Sequence, residues 1–223
     1  MQRKAALVPG EYYHVYNRGV EKRDIFLTTG DKDRFVHMLY LANGTKPVVH
    51  RLVQGLPLYE VDVGEKRVAI GAYVLMSNHF HILVKEIQPG GITGFMEKLQ
   101  TSYAMYFNKK YTRVGSLFQG TFKAEHVHRD EHLKHLFAYI HLNPLKRVMQ
   151  ASPEHVRWDI EGMRQFLGDY DHSSYHDYMG QDRTEAAIVS RGEFPPYFDQ
   201  PQQFADFIDT YLRSNELPHL VQG

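Results

Sequence analysis

The sequence contains no cysteine. That excludes disulfides, thiolate zinc sites and a cysteine nucleophile, and it fits a reducing compartment. Tryptophan occurs once, against 13 Phe and 15 Tyr in 223 residues. There is no excess of charge: 26 basic side chains offset 26 acidic ones. Net charge therefore announces no nucleic-acid partner, and local distribution has to carry any such claim. No apolar run is long enough to span a membrane, and no signal-like stretch opens the chain. The expectation is a cytoplasmic protein without a membrane partner. No internal repeat or low-complexity tract stands out.

What is present suffices for a core: 43% of residues are hydrophobic and 13% aromatic. The length suits one large domain, or a domain plus an extension. Fourteen histidines are many, and most are expected at the surface or in the core without a ligand role.

Residues 11–18 alternate as a first strand, with Tyr13 and Val15 on one face and Tyr12, His14 and Tyr16 on the other. Asp31 is the expected cap of a helix reaching about Leu41. Residues 48–53 suggest a short strand, and 58–63 a loop or a second one. Val68–Met76 and His79–Glu86 form a hairpin broken near Ser77-Asn78. A helix is expected from Thr93 to about Tyr111, with Phe95, Met96, Leu99, Tyr103, Tyr106 and Phe107 at core spacing. Residues 121–129 alternate again. A further helix runs from Asp130, the expected cap, and stops at Asn143-Pro144, because the residue before proline is pushed out of helical geometry. Ser152-Pro153 marks a boundary. Beyond it lie short helical pieces, the last carrying Phe204, Phe207, Ile208, Tyr211 and Leu212. Strands and crossover helices in this order give an α+β fold, a ferredoxin-like antiparallel sheet with helices on one face, plus a mostly helical C-terminal extension.

Two features carry chemistry. His79 and His81 stand two apart on a strand, so both imidazoles face one way, while Phe80 faces the other with Ile82 and Val84. Paired imidazoles on a rigid strand begin a metal site but need a third ligand. A second pair, His126 and His128, offers the same spacing. On the helix from Asp130, His132, His135, Tyr139 and Asn143 line one side next to the apolar stripe of Leu133, Leu136, Phe137 and Ile140. Alone, Tyr139 reads more readily as a packing residue with a bonded hydroxyl than as a nucleophile.

Together these residues resemble the HUH single-tyrosine transposases, most closely the REP-associated tyrosine transposases. Four blocks carry the resemblance. They are Tyr13-His14-Val15-Tyr16-Asn17-Arg18-Gly19; Tyr73-Val74-Leu75-Met76-Ser77-Asn78-His79-Phe80-His81-Ile82-Leu83-Val84; Gly115-Ser116-Leu117-Phe118-Gln119-Gly120; and Tyr139-Ile140-His141-Leu142-Asn143-Pro144-Leu145-Lys146. Ser173-Ser174-Tyr175 resembles the motif that follows. The family more often has Pro at the place of Ser77, and some relatives have Gln at that of Asn143.

The resemblance implies a catalytic domain over 1–150 and an extension over 151–223. It implies a Mg²⁺ or Mn²⁺ ion held by His79, His81 and Asn143, with Tyr139 as nucleophile on single-stranded, hairpin-containing or repetitive palindromic DNA. A 5′-phosphotyrosine would link nicking to joining, and the protein would be nucleoid-associated. Basic residues cluster accordingly: Lys109, Lys110, Arg113, Lys123, Lys146 and Arg147 sit in 101–150, and Arg18 and Arg23 extend the set. Two other functions stay open: a DNA-binding regulator that has lost catalysis, and a metallohydrolase using water at His79 and His81. Whether the protein is a monomer or a homodimer is not legible.

Overall fold

The computed structural model describes residues 6–151, 159–214 and 217–219. The chain order is β1 (Tyr12–Arg18), α1 (Thr29–Leu41), α2 (His50–Val53), β2 (Val68–Leu75), β3 (His79–Glu86), α3 (Gly91–Lys110), β4 (Lys123–Val127), α4 (Asp130–Ala151), α5 (Ile160–Gly168), α6 (Tyr175–Tyr178) and α7 (Pro201–Ser214). Four strands pair antiparallel in the order β2-β3-β1-β4. The α+β class is as expected.

The hairpin forms where the apolar run pauses. Met76 N–H donates to the His79 carbonyl at 2.8 Å and closes the turn. Its register slips between Ile70 and Ala72. Gly71 sits in that bulge because a Cβ there would lie 2.6 Å from the Phe194 ring.

The sheet is buried on both faces, and here the structure departs from expectation. Tyr13, Val15, Phe80, Ile82 and Val84 pack with Phe35 and Leu39 of α1 and Phe95, Leu99 and Tyr103 of α3. Ala72, Val74 and Leu83 face the other way, under Leu136, Phe137 and Ile140 of α4. Helices therefore stand on both faces rather than one. The cause is visible in β2, where all eight residues are buried. A strand apolar on both sides needs cover on both sides.

α1 starts one turn earlier in role than expected. Thr28 is the cap and Asp31 closes a capping box with it. The supposed strands at 48–53 and 58–63 are a four-residue helix and a 3₁₀ turn. Val61 and Val63 pack with Leu41 in a small satellite core, so their alternation meets a helix rather than a sheet.

α4 passes through Pro144 instead of ending before it. Proline cannot donate to the carbonyl of Ile140, a cost of about 3 kcal/mol. Continuing the helix buries Leu145 completely and Met149 in part, each worth roughly 1.5–3 kcal/mol when fully buried, enough to offset it. Asp130 is the first helical residue rather than the cap; Leu133 N–H reaches back to the Arg129 carbonyl at 2.9 Å. The expected boundary at Ser152-Pro153 lies outside the described residues.

The C-terminal extension packs on α4 through Met163, Leu167, Phe204, Ile208 and Leu212. It also covers the β2 edge. Leu75 N–H donates to the His172 carbonyl at 3.0 Å, and Tyr73 N–H to the Ser174 hydroxyl at 2.9 Å. That removes an exposed strand edge.

Candidate active site

β1 and β3 are neighbours, and their register decides what meets. Tyr16 lies opposite His81, and Arg18 opposite His79. His14, Tyr16, His79 and His81 therefore share the face that α4 covers. The rings of His79 and His81 are 5.0 Å apart and nearly perpendicular. His14 stacks on His81 at 5.0 Å, and its Nε2 lies 2.9 Å from His81 Nδ1.

Hydrogen bonding sets the tautomer of His79, and hydrogen bonding together with the charge of Glu125 sets that of His81. Asn78 Nδ2 donates to the Lys22 carbonyl at 3.0 Å, and its Oδ1 accepts from Arg147 at 3.3 Å. That amide oxygen also lies 2.6 Å from His79 Nδ1. An amide oxygen only accepts, so His79 carries its proton on Nδ1 and its lone pair on Nε2. His14 Nδ1 looks at the Glu125 carboxylate, 3.9 Å away. A lone pair there would face a negative charge, so the proton belongs on Nδ1. His14 Nε2 is then an acceptor, and His81 must donate to it from Nδ1. Both His79 and His81 are left with a free Nε2 lone pair, the form a metal-ligating imidazole takes.

Electrostatics agree. Burial first, then Arg147 and Arg18, pulls the His79 pKa down to about 4. Burial likewise pushes His81 well below its usual range, helped by its histidine neighbours, and lowers His14. All three are neutral at pH 7.

α4 brings Tyr139 onto this face. Its ring stands edge-on to His81 at 5.3 Å and to His14 at 5.9 Å. The side chain is 8% exposed. Burial raises the phenol pKa, a side-chain hydrogen bond with Asn143 lowers it, and the charge of Glu125 raises it again. Tyr139 and Asn143 are thus coupled one turn apart, as their spacing implies. Lys146 Nζ sits 6.0 Å from the Tyr139 ring centre and donates to the Pro218 carbonyl at 3.2 Å.

The cations divide. Arg18 and Arg147 flank His79, and Arg18 is held by Gln119 at 2.5 Å. Lys123 lies over Tyr16, 5.8 Å from its ring. Lys146 lies beside Tyr139 on the same face. Lys109 and Lys110 instead line a groove of about 820 Å³ between α1 and α3, beyond the other face of the sheet. Arg113 bonds Asn108, and Arg23 pairs with Glu21. Lys109 and Lys110 are thus not brought to the imidazoles. His126 is excluded too, because it lies opposite Tyr13 in the register, on the far face, and bonds Glu11 at 2.8 Å.

Three residues absent from the sequence-derived set belong here: His14, Tyr16 and Glu125. Tyr16 O–H donates to Glu125 Oε1 at 2.5 Å. Strand alternation had put His14 and Tyr16 on one face. Only the pairing of β1 with both β3 and β4 shows that this is the face of His81 and Glu125.

These elements define a class: an α+β protein whose sheet offers two imidazole lone pairs beneath a tyrosine-bearing helix. The model of a family described as "Transposase IS200 like" matches residues 58–143, from before β2 through Asn143 of α4. The resemblance to the single-tyrosine transposases is borne out over that stretch, and the chain is transposase-like there. A solved structure described as "Structure of the REP associates tyrosine transposase bound to a REP hairpin" is similar at 14% identity. It covers 87% of this chain and 88% of its own, with a TM-score of 0.48. No curated protein matches the chain.

Proposed function

We propose that the protein is a metal-dependent endonuclease and strand-transferase acting on single-stranded or hairpin-containing DNA through Tyr139. The observation that carries this is the edge-on contact of Tyr139 with His81 at 5.3 Å. It joins the one tyrosine of α4 to a pair of imidazoles poised as ligands. Among the described residues, no three His, Cys, Asp or Glu side chains gather into a metal site. The third protein donor is the one the resemblance to the single-tyrosine transposases implies, the Asn143 carboxamide oxygen.

Mixed nitrogen and oxygen donors suit Mg²⁺ or Mn²⁺, which when bound would supply Lewis acidity to a phosphate oxygen. The chain's own residues do the rest. Arg18, Lys123, Lys146 and Arg147 hold the phosphate backbone against the site. The phenolic oxygen of Tyr139, on losing its proton, attacks phosphorus. The bond from phosphorus to the 3′ oxygen breaks, and that oxygen leaves as a 3′-hydroxyl after taking up a proton. The resulting 5′-phosphotyrosine keeps the ester's energy, so an incoming 3′-hydroxyl rejoins the strand without ATP. Residues 1–150 would form the catalytic unit, and 151–223 an extension that braces α4 and the β2 edge.

The experiment is direct. The protein is incubated with labelled hairpin-bearing single-stranded DNA and Mn²⁺, then denatured. A covalent adduct that disappears in Tyr139→Phe is the expected result. Binding without adduct would make the protein a regulator, and cleavage unaffected by Tyr139→Phe would make it a metallohydrolase.

A further inference from the structure

Three side chains run in line behind His81: the His14 imidazole, the Glu125 carboxylate and the Tyr16 phenol. The outer two links are hydrogen bonds and the middle one is a charge facing an imidazole nitrogen. Tyr16 donates to Glu125 Oε1 at 2.5 Å, Glu125 Oε2 faces His14 Nδ1 at 3.9 Å, and His14 Nε2 meets His81 Nδ1 at 2.9 Å. His14 is 1% exposed, and its Nδ1 is buried without a hydrogen-bond partner, facing the Glu125 carboxylate at 3.9 Å. Burying an imidazole so completely leaves it little freedom to turn. The residues come from β1 and β4, and His14 and Tyr16 lie outside the stretch that matches the transposase family.

We infer that Glu125 and His14 form an outer relay that locks His81 in one tautomer and one ring plane, with Nε2 turned to the ligand side. His14 is a positioning residue for His81, not a ligand. The relay depends on the metal-site assignment made above. Its logic is directional. His14 Nδ1 makes no hydrogen bond, but the Glu125 charge 3.9 Å away favours a proton there over a lone pair. The acceptor this creates at Nε2 can be satisfied only if His81 protonates Nδ1. Removing either Glu125 or His14 releases His81 to protonate Nε2, the atom required for ligation. Outer partners of metal-bound histidines typically carry about 10- to 100-fold in metal affinity. Tyr16, by occupying the second carboxylate oxygen, stops Glu125 from turning away.

The test uses the full-length protein and two readouts that need no DNA. Mn²⁺ affinity is measured by electron paramagnetic resonance of the free ion. The tautomer of His81 is read from long-range ¹H–¹⁵N imidazole correlations in the metal-free protein. His14→Phe is expected to weaken Mn²⁺ binding about 10- to 100-fold and to move His81 off the pure Nδ1–H form. His14→Gln restores an acceptor near the same place and is expected to recover most of both. Should His14→Phe fail to fold, Glu125→Ala, at a half-exposed position, is expected to weaken binding several-fold with the same tautomer change. Unchanged affinity and an unchanged His81 tautomer in the folded variants would overturn the relay. His81→Ala separates the two levels. If it too binds Mn²⁺ like the wild type, the metal-site assignment fails. If it alone loses binding, only the relay fails.

Discussion

Tyr139 and His81 come from α4 and β3, elements separated by more than forty residues, yet their rings meet edge-on at 5.3 Å and 80°. The contact depends on which face of the sheet His81 occupies, and it marks that face as the one α4 protects. His79 shares it; His126 does not.

The two histidine pairs should therefore behave differently towards metal. His79→Ala is expected to lower Mn²⁺ affinity by at least about tenfold, because it removes a proposed ligand. His126→Ala should leave affinity within about twofold, since its ring is spent on Glu11 on the opposite face. Calorimetric titration of both variants checks this, and loss only in His126→Ala would reverse the assignment.

The cations divide in the same way. Arg147 flanks His79, whereas Lys109 lines the groove between α1 and α3. Arg147→Ala should weaken single-strand binding and reduce the slope of log K against log salt by roughly 0.7, the value for one phosphate contact on a single strand. Lys109→Ala should leave the slope unchanged. Fluorescence anisotropy across a salt series gives both.

Stability should fall on mild acidification, in part through His141. This ring is wholly buried, with Nδ1 2.8 Å from the Phe137 carbonyl and Nε2 2.7 Å from the Ser174 hydroxyl. Burial lowers its pKa from 6.5 to about 3. Between those values the unfolded chain binds a proton that the folded chain refuses. The contribution is thus complete above about pH 6.5 and is lost as pH falls, at up to about 1.4 kcal/mol per pH unit. In urea unfolding between pH 5 and 7, His141→Gln should show a shallower dependence by about one proton.

Asp31 is the polar anchor between α1 and α3. Its fully buried carboxylate accepts from the backbone N–H of Leu27 and Thr28, both at 3.0 Å. It also accepts from Tyr106 at 2.9 Å and from Tyr111 and Lys110 at 2.6 Å. Burial works to raise its pKa, but these donors hold it at about 2. Asp31→Asn should cost more than about 2 kcal/mol in urea unfolding at pH 7. A folded pKa below the unfolded one means this gap is full above about pH 4 and narrows as pH falls towards 2.

Much of the site was legible because it rests on short-range periodicity. Two-residue spacing gave the shared face of His79 and His81, and four-residue spacing gave the coupling of Tyr139 with Asn143. What escaped depends on pairing between distant strands. Nothing local to His14 or Glu125 says that β1 lies between β3 and β4. The same blindness put all helices on one face, since strand burial on both sides shows only once the sheet is assembled. Lys109 and Lys110 were grouped with Lys146 by nearness in sequence, but α3 and α4 lie on opposite faces. Pro144 misled for another reason: its local penalty is real and is outweighed by burial of Leu145.

The most direct measurement is denaturing electrophoresis of the wild type and Tyr139→Phe after incubation with 5′- and 3′-labelled hairpin DNA and Mn²⁺. The account predicts a protein-linked species that carries the label 3′ to the nick in the wild type and is absent in Tyr139→Phe, with both proteins folded and binding DNA equally. An adduct that persists in Tyr139→Phe, or nicking by the wild type that never passes through a protein-linked species, would contradict it.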